Sequence, residues 1–434
     1  MPNQFSASLW GDEAFSAVLS KASLIRIIDV SARDTYPPLY NLVEHFWFNL
    51  FGSSEIAIRA LSFLFFILTI FFVYKIGAFL WNKKTGLIGA ALSFLNPFFF
   101  TYAFEGRMYS IMALGVTASM YFFLKRKWVG YVIATAWAIY SHHFAIFALL
   151  VQGIWFLYEY FWGKRKIATK MFKSFLAIGV LYLPWAIPLY NQVNRVGGGF
   201  WLGTPTIKDF GGVLAEYLAA GIKHPIAIPA LYVAAVILII RRWGKSFQKS
   251  LFLVSWFILP VAFTWLVSQK FQSIFFNRYL LYVIPGAMLL LASNQRKLLS
   301  KICVVVLLVF FAIIDFNYFT HPIKRPFQEL SVYVKETQQE GDFLINWNSG
   351  AHHLWETIYY EIPAPIYVPE GELPFYVGTA QMTDKDILRE IPLEAKRIGV
   401  VTSGSVDEID LPSYTESEPV AFGELKFVWY QKNP

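Results

Sequence analysis

The chain has very little cysteine: Cys303 is the single one in 434 residues. One thiol forms no intrachain disulfide and builds no cysteine-based metal site. It lies inside the apolar run 301–319, where it reads as a free thiol in a helix. Charge is also scarce, at 15% of residues, against about 25% in an ordinary soluble domain. That excludes a water-soluble class for most of the length. Residues 1–11 have neither a basic stretch nor an apolar one, so no cleavable signal peptide is read there.

Apolar and aromatic residues fill the space instead, at 56% and 19%. Runs such as "ALSFLFFILTIFFVYKIGAFLW" (60–81) and "KICVVVLLVFFAIIDFNYF" (301–319) match the roughly 20 apolar residues that cross a bilayer. About ten spans are expected, near 56–80, 86–103, 107–124, 128–141, 143–162, 173–190, 225–240, 250–267, 279–293 and 299–319. Alternate loops differ in sign. One set carries Lys83 and Lys84; Lys125, Arg126 and Lys127; Lys164, Arg165, Lys166, Lys170 and Lys173; Arg241, Arg242, Lys245 and Lys249; Arg296, Lys297 and Lys301. It has no Asp or Glu, and the positive-inside rule makes it cytoplasmic. The acids Asp12, Glu13, Asp29, Asp34, Glu44, Glu55, Glu105, Asp209 and Glu216 fall on the opposite side. The net charge of +8 therefore belongs to membrane topology, and nucleic acid is not an expected partner.

Three segments follow: an outer region, 1–55; a transmembrane bundle, 56–319; and an extracytoplasmic tail, 320–434. The tail mixes strand-like runs ("DFLINW", "PIYVP", "RIGVVTS", "LKFVWYQ") with helical ones, and is expected to be a small α/β domain. A helix is expected in "PFQELSVYVKETQQEG", with Gly341 as its C-cap. Another is expected in "TDKDILREI", behind a Thr383–Asp386 capping box. His352 and His353 read as loop polarity. In the outer region, "DEAFSAVLSKASLIRIIDV" and "PPLYNLVEHFWFNLFG" have helical spacing, and Leu39, Leu42, Val43, Phe46 and Leu50 share one face.

The stretches "LWGDEAFSA", "DTYPPLYNLVEHFWFNLFGSSEIAIRALS", "NPFFFTYAFEGRMYS", "SHHFAIFALL" and "FNRYLLYVIPG" occur in one order along residues 8 to 295. This order resembles the polyprenyl-phosphate-sugar-dependent membrane glycosyltransferases of the C-type fold. The branch includes the dolichyl-phosphate-mannose protein mannosyltransferases and the lipid A aminoarabinose and galacturonic acid transferases. The tail resembles their variable outer domain only loosely. The resemblance implies a multi-pass α-helical bundle with a small C-terminal α/β extracytoplasmic domain in the cell membrane. It implies transfer of a sugar from a polyprenyl-phosphate donor to a protein, lipid or glycan acceptor. Such proteins carry a spanning helix directly before the acidic pair, so the natural start is expected upstream of Met1. They often have His-Pro-Pro where this chain has Tyr36-Pro37-Pro38, and any role of that ring nitrogen is lost.

On the same resemblance, Asp12 matches the base that activates the acceptor, with Glu13 orienting it. A plainer role for the pair is to favour the dipole of a helix N-terminus. Glu105 matches a second acidic position, serving the acceptor or, with Asp12, a divalent metal. No cofactor is otherwise called for. Arg107 and Arg278 suit phosphate oxygens, although interfacial snorkelling would equally place them at helix ends. Tyr109 and Tyr279 follow them as hydroxyl donors, His142 and His143 stand between two spans, and Arg59 opens the first span. The Gly-rich stretch 195–205 reads as a mobile lid. The rival reading is a transporter or lipid flippase, which would place charge at the bilayer midplane. In the spans only Lys75, Glu159 and Asp315 stand out.

Overall fold

The computed structural model describes residues 3–220, 223–240, 247–293, 298–347 and 353–434. Arg241, Arg242, Lys245, Arg296, Lys297 and His352 lie outside the described residues. The chain forms two compact units: residues 1–34, 41–58 and 321–434 make one, and residues 35–40 and 59–320 the other.

The first long helical run breaks in two, α1 (Gly11–Ser20) and α2 (Leu24–Arg33), because the Ser23 hydroxyl caps α2 by accepting the Arg26 N–H at 3.3 Å. Helix α3 (Leu39–Phe51) ends at Gly52, whose φ of +75° suits the residue after a helix. Its exposed face is apolar and its buried face carries polar groups. Phe46 and Leu50 are exposed, while Asn41 and Glu44 are fully buried. Ser20 decides this. Its hydroxyl donates to Glu44 Oε2 at 2.7 Å and accepts from Asn41 Nδ2 at 2.9 Å. The polar groups bond inward while Phe46 and Leu50 face out.

The membrane unit is helical. In order come α4 (Glu55–Leu80), α5 (Lys83–Phe94), α6 (Pro97–Ala103), α7 (Tyr109–Leu124), α8 (Trp128–Ser141), α9 (Ala148–Phe161), α10 (Arg165–Tyr182), α11 (Ala186–Gly197), α12 (Ile207–Ala215), α13 (Ala227–Ile239), α14 (Phe247–Val267), α15 (Asn277–Leu280), α16 (Ile284–Ala292) and α17 (Leu298–Thr320). Every expected span is helical. Among the described residues five helices are long and apolar enough to cross a membrane, or six if a bent pair counts as one. The shortfall has local causes. α5 and α6 meet at 69°, since Pro97 cannot continue a helix and Asn96 starts a new one by accepting the Phe99 N–H at 3.0 Å. α7, α13 and the α15–α16 stretch are apolar but short.

Helices α7 and α8 are held together by small residues and a buried polar network. A Cβ on Gly115 would stand 2.8 Å from Ala138 Cα and Cβ, so glycine lets the backbones approach. Tyr131 donates to Gln152 at 2.7 Å, Gln152 to Ser119 at 2.9 Å, and Ser119 bonds Thr135 at 2.8 Å. Such bonds satisfy groups that lipid would leave bare. Gly115→Leu is expected to force α8 away and lower the melting temperature in detergent by several degrees, at about 1–3 kcal/mol for overpacking; an unchanged melting curve would contradict the close packing.

In the first unit the tail adds α18 (Phe327–Thr337), β1 (Phe343–Trp347), α19 (Leu354–Tyr359), β2 (Ile366–Tyr367), β3 (Ile387–Leu388), β4 (Arg397–Thr402), β5 (Tyr414–Glu416), β6 (Val420–Phe422) and β7 (Leu425–Lys432). The sheet runs β3-β2-β1-β4-β7-β5, with β6 also on β7. β1 is parallel to β2 and β4, and β7 is antiparallel to β4. Phe327, Leu330 and Val334 of α18 pack with Leu344, Val401 and Phe427. α18 stops at Thr337, so Gly341, at φ +90°, serves the turn into β1 and not the helix cap. The expected helix in "TDKDILREI" is a short 3-10 turn instead. Its Thr383–Asp386 capping bonds form, at 2.7 and 2.8 Å, but Ile387 and Leu388 pair with β2.

Arg397 Nε donates to Asp342 at 2.9 Å and the guanidinium lies 3.9 Å over the Trp429 ring. Burial alone would raise the Asp342 carboxyl, but Arg397 outweighs it and holds the group below the usual carboxylate range. The stabilisation is present above the unfolded value, about 3.9, and is lost as pH falls through the folded one. Arg397→Leu should therefore shift acid-induced proteolysis of the tail to higher pH. An unmoved acid midpoint would show the pair to be without consequence.

Candidate functional site

In the membrane unit the sequence candidates converge. The turn between α6 and α7 carries Glu105 and Arg107, both only 8% exposed and so not a surface pair. The Arg107 N–H reaches the Glu105 carbonyl at 2.7 Å, and the same carbonyl accepts the Ser62 hydroxyl at 2.6 Å. The Arg107 guanidinium lies 5.3 Å over the Tyr36 ring. The residue that departs from His-Pro-Pro thus supplies a π-face.

Arg278, in α15, enters from far along the chain. Its guanidinium stands 5.0 Å over Phe276, 5.7 Å over Tyr109 and 5.9 Å over Tyr279. Tyr279 lies 5.0 Å from His142 and 5.0 Å from Phe144, and Tyr109 lies 6.2 Å from His142. The α7–α8 packing explains part of this, since Tyr109 begins α7 and His142 follows the end of antiparallel α8. His142 Nδ1 accepts the Phe144 N–H at 3.2 Å. Burial first, then His143, Arg107 and Arg278, hold its ring well below the usual imidazole value. With Nδ1 taken up as an acceptor, the uncharged form of this ring has its proton on Nε2 and can donate there. Two guanidinium groups, one imidazole and two tyrosines are groups able to donate hydrogen bonds to an anion.

Sequence reasoning missed the support beneath α15. Asn277 Nδ2 donates to Glu216 Oε2 at 2.8 Å, and Tyr217 donates to the Asn277 carbonyl. Asn96 holds the Tyr217 carbonyl at 2.9 Å. Burial raises the Glu216 carboxyl despite the Asn277 bond. Nothing local in the sequence marks these residues, because each contact joins distant segments. The Gly-rich stretch 195–205 is tied to the same region: Gln272 Nε2 donates to the Phe200 and Leu202 carbonyls at 3.2 and 3.1 Å. Trp201 meets Phe276 edge-on at 5.1 Å. His143 has another task. Its ring nitrogens bond Tyr182 at 2.8 Å and Gln192 at 2.7 Å. Arg59 is fully buried within α4.

The acidic pair belongs to the first unit. Asp12 and Glu13 occupy the first turn of α1, where carboxylates are favoured. Asp12 is half-buried and Glu13 fully buried. Glu13 Oε2 accepts Lys324 Nζ at 3.1 Å and the Trp10 N–H at 3.4 Å. Glu13 is thus fixed in place, while Asp12 remains partly open. His353 is not loop polarity: it is 1% exposed, bonds Ser403 at 2.9 Å and lies 3.5 Å from Glu356. Among the described residues no three His, Cys, Asp or Glu side chains gather as a metal site, and Asp12 and Glu105 sit in different units.

Residues 35–188 match the family model described as dolichyl-phosphate-mannose-protein mannosyltransferase. No curated protein matches in sequence. Among solved structures, ArnT from Cupriavidus metallidurans, apo and bound to undecaprenyl phosphate, superposes with a TM-score of 0.69 at 12% identity, over 98% of this chain and 94% of that one. The Archaeoglobus fulgidus oligosaccharyltransferase gives 0.54 at 13% identity, over 91% of this chain and 65% of its own. The arabinofuranosyltransferase AftD from Mycobacteria gives 0.50 at 12% identity, over 99% of this chain and 40% of its own. Family segment and superposed structures agree on the fold, which is similar to that of these membrane glycosyltransferases.

Proposed function

We propose that the protein transfers one sugar from a polyprenyl-phosphate donor to an acceptor hydroxyl, with inversion, at the extracytoplasmic face. The cluster of Arg107, Arg278, Tyr109, Tyr279 and neutral His142 carries the reading, because it suits a lipid phosphate. Undecaprenyl phosphate bound to ArnT supports the donor class. Asp12, at the start of α1, is the base.

Asp12 takes the proton of the acceptor hydroxyl. The oxygen attacks the anomeric carbon from the face opposite the phosphate. The new C–O bond forms as the bond to phosphate oxygen breaks, and its electron pair leaves with polyprenyl phosphate. A sugar-linked phosphate carries one negative charge, and the released monoester gains more. Arg107 and Arg278 are therefore worth more as the bond breaks than before it, and this difference accelerates the step.

Mass analysis of surface proteins, lipids and glycans from cells with and without the protein tests this reading. The expected result is an increment of one glycosyl residue that depends on the protein. Unchanged masses, with labelled lipid moving across liposomes, would favour a flippase.

A further inference from the structure

A largely apolar pocket with a few polar groups lies within the membrane unit, at the helix ends that carry the basic loops. Its volume is about 240 Å³, and its wall draws on the ends of α4, α7 and α9 and on α10 and α14. Arg126, Lys249, Tyr158 and Trp155 supply polar groups, Phe252 and Met171 apolar ones. One acid lines it, Glu159, which pairs with Arg126 at 3.1 Å. Lys249 donates to the Leu80 carbonyl. The Trp155 indole N–H is buried and meets no acceptor among the described residues. Lys83, Lys84, Lys125, Lys127, Lys164 and Arg165 are exposed on the neighbouring loops.

Arg126 is held unusually. Its φ is +55°, a left-handed conformation. It closes α7 as glycine commonly does, with the Lys127 N–H returning to the Phe122 carbonyl at 2.9 Å. An arginine in that position places a guanidinium at the cavity, and an L side chain there is disfavoured.

We propose that this cavity binds the phosphodiester headgroup of an anionic membrane phospholipid. Arg126 and Lys249 meet the phosphate and Trp155 donates to it. The acyl chains leave past the exposed Tyr158 ring into the bilayer, since Phe252 and Met171 are buried. The apolar wall and the position at the membrane helix ends favour a lipid over free phosphate. The site is independent of the transfer reaction, since none of its residues belongs to the Arg107–Arg278 cluster.

The test is the melting temperature of the full chain in detergent, with added phosphatidylglycerol, phosphatidylcholine or inorganic phosphate. Phosphatidylglycerol should raise it by about 4 °C at saturation; the other two should leave it flat. Arg126→Gly relieves the left-handed backbone while removing the guanidinium. It should keep or raise the melting temperature without lipid and lose at least half of the phosphatidylglycerol effect. Lys249→Gln should weaken the same effect. An equal shift with phosphatidylcholine, a shift with inorganic phosphate alone, no shift with phosphatidylglycerol, or one undiminished in both variants would overturn the proposal.

Discussion

Asp12→Asn should lower sugar transfer by a factor of about 10² to 10⁴, the range over which a positioned base contributes, while the protein still folds and binds donor. The substitution is nearly isosteric, and the half-buried site tolerates an amide. Helix α1 keeps its start, because Glu13 bonds the Trp10 N–H and Lys324. The loss should therefore fall on turnover, with the Michaelis constant for the donor little changed. Asp12→Ala should be no more active than Asp12→Asn. If Asp12→Asn transfers at the normal rate, Asp12 is a helix-dipole residue and the base lies elsewhere.

Arg278→Met should cut kcat/KM for the donor by about 10²–10³, the loss seen when one donor to a developing negative charge is removed. Methionine keeps much of the apolar contact with Phe276, Tyr109 and Tyr279, so the effect reports the guanidinium. The position of α15 should survive, because it depends on Asn277 with Glu216 and Tyr217. Most of the loss should appear in kcat, since the leaving phosphate gains charge during the step. Arg278→Lys should recover only part, an ammonium lacking the planar fork. A defect confined to KM would make Arg278 a residue for holding the donor alone.

The sequence was legible where the information is local. Apolar runs marked the long helices of the membrane unit and strand-like runs marked β1, β2, β4 and β7, whereas the break at Asn96-Pro97 and the short helices α12 and α19 were not read. It was least legible where distant groups decide. Ser20 holds Asn41 and Glu44 of α3 inward through contacts that the helix's own periodicity does not show. Strand pairing with β2 overrode the helical pattern after Thr383. Arg107 and Arg278 were each visible as helix-end arginines, but the rings each one lies over were not. Glu216 and Asn277 carried no signal, because their role exists only once α15 is placed. Tyr36 looked like a lost histidine and proved to be a ring beneath Arg107.

The central claim concerns the donor, and the most direct measurement follows it. Purified protein in liposomes would be given polyprenyl-phosphate-linked sugars together with a membrane extract as acceptor. Released polyprenyl phosphate and the anomeric configuration of the new linkage would both be recorded. The account predicts one polyprenyl phosphate freed per sugar transferred, an inverted linkage, and neither product with Asp12→Asn. Sugar transfer from a nucleotide donor with the lipid-linked sugar untouched, or release undiminished in Asp12→Asn, would contradict it.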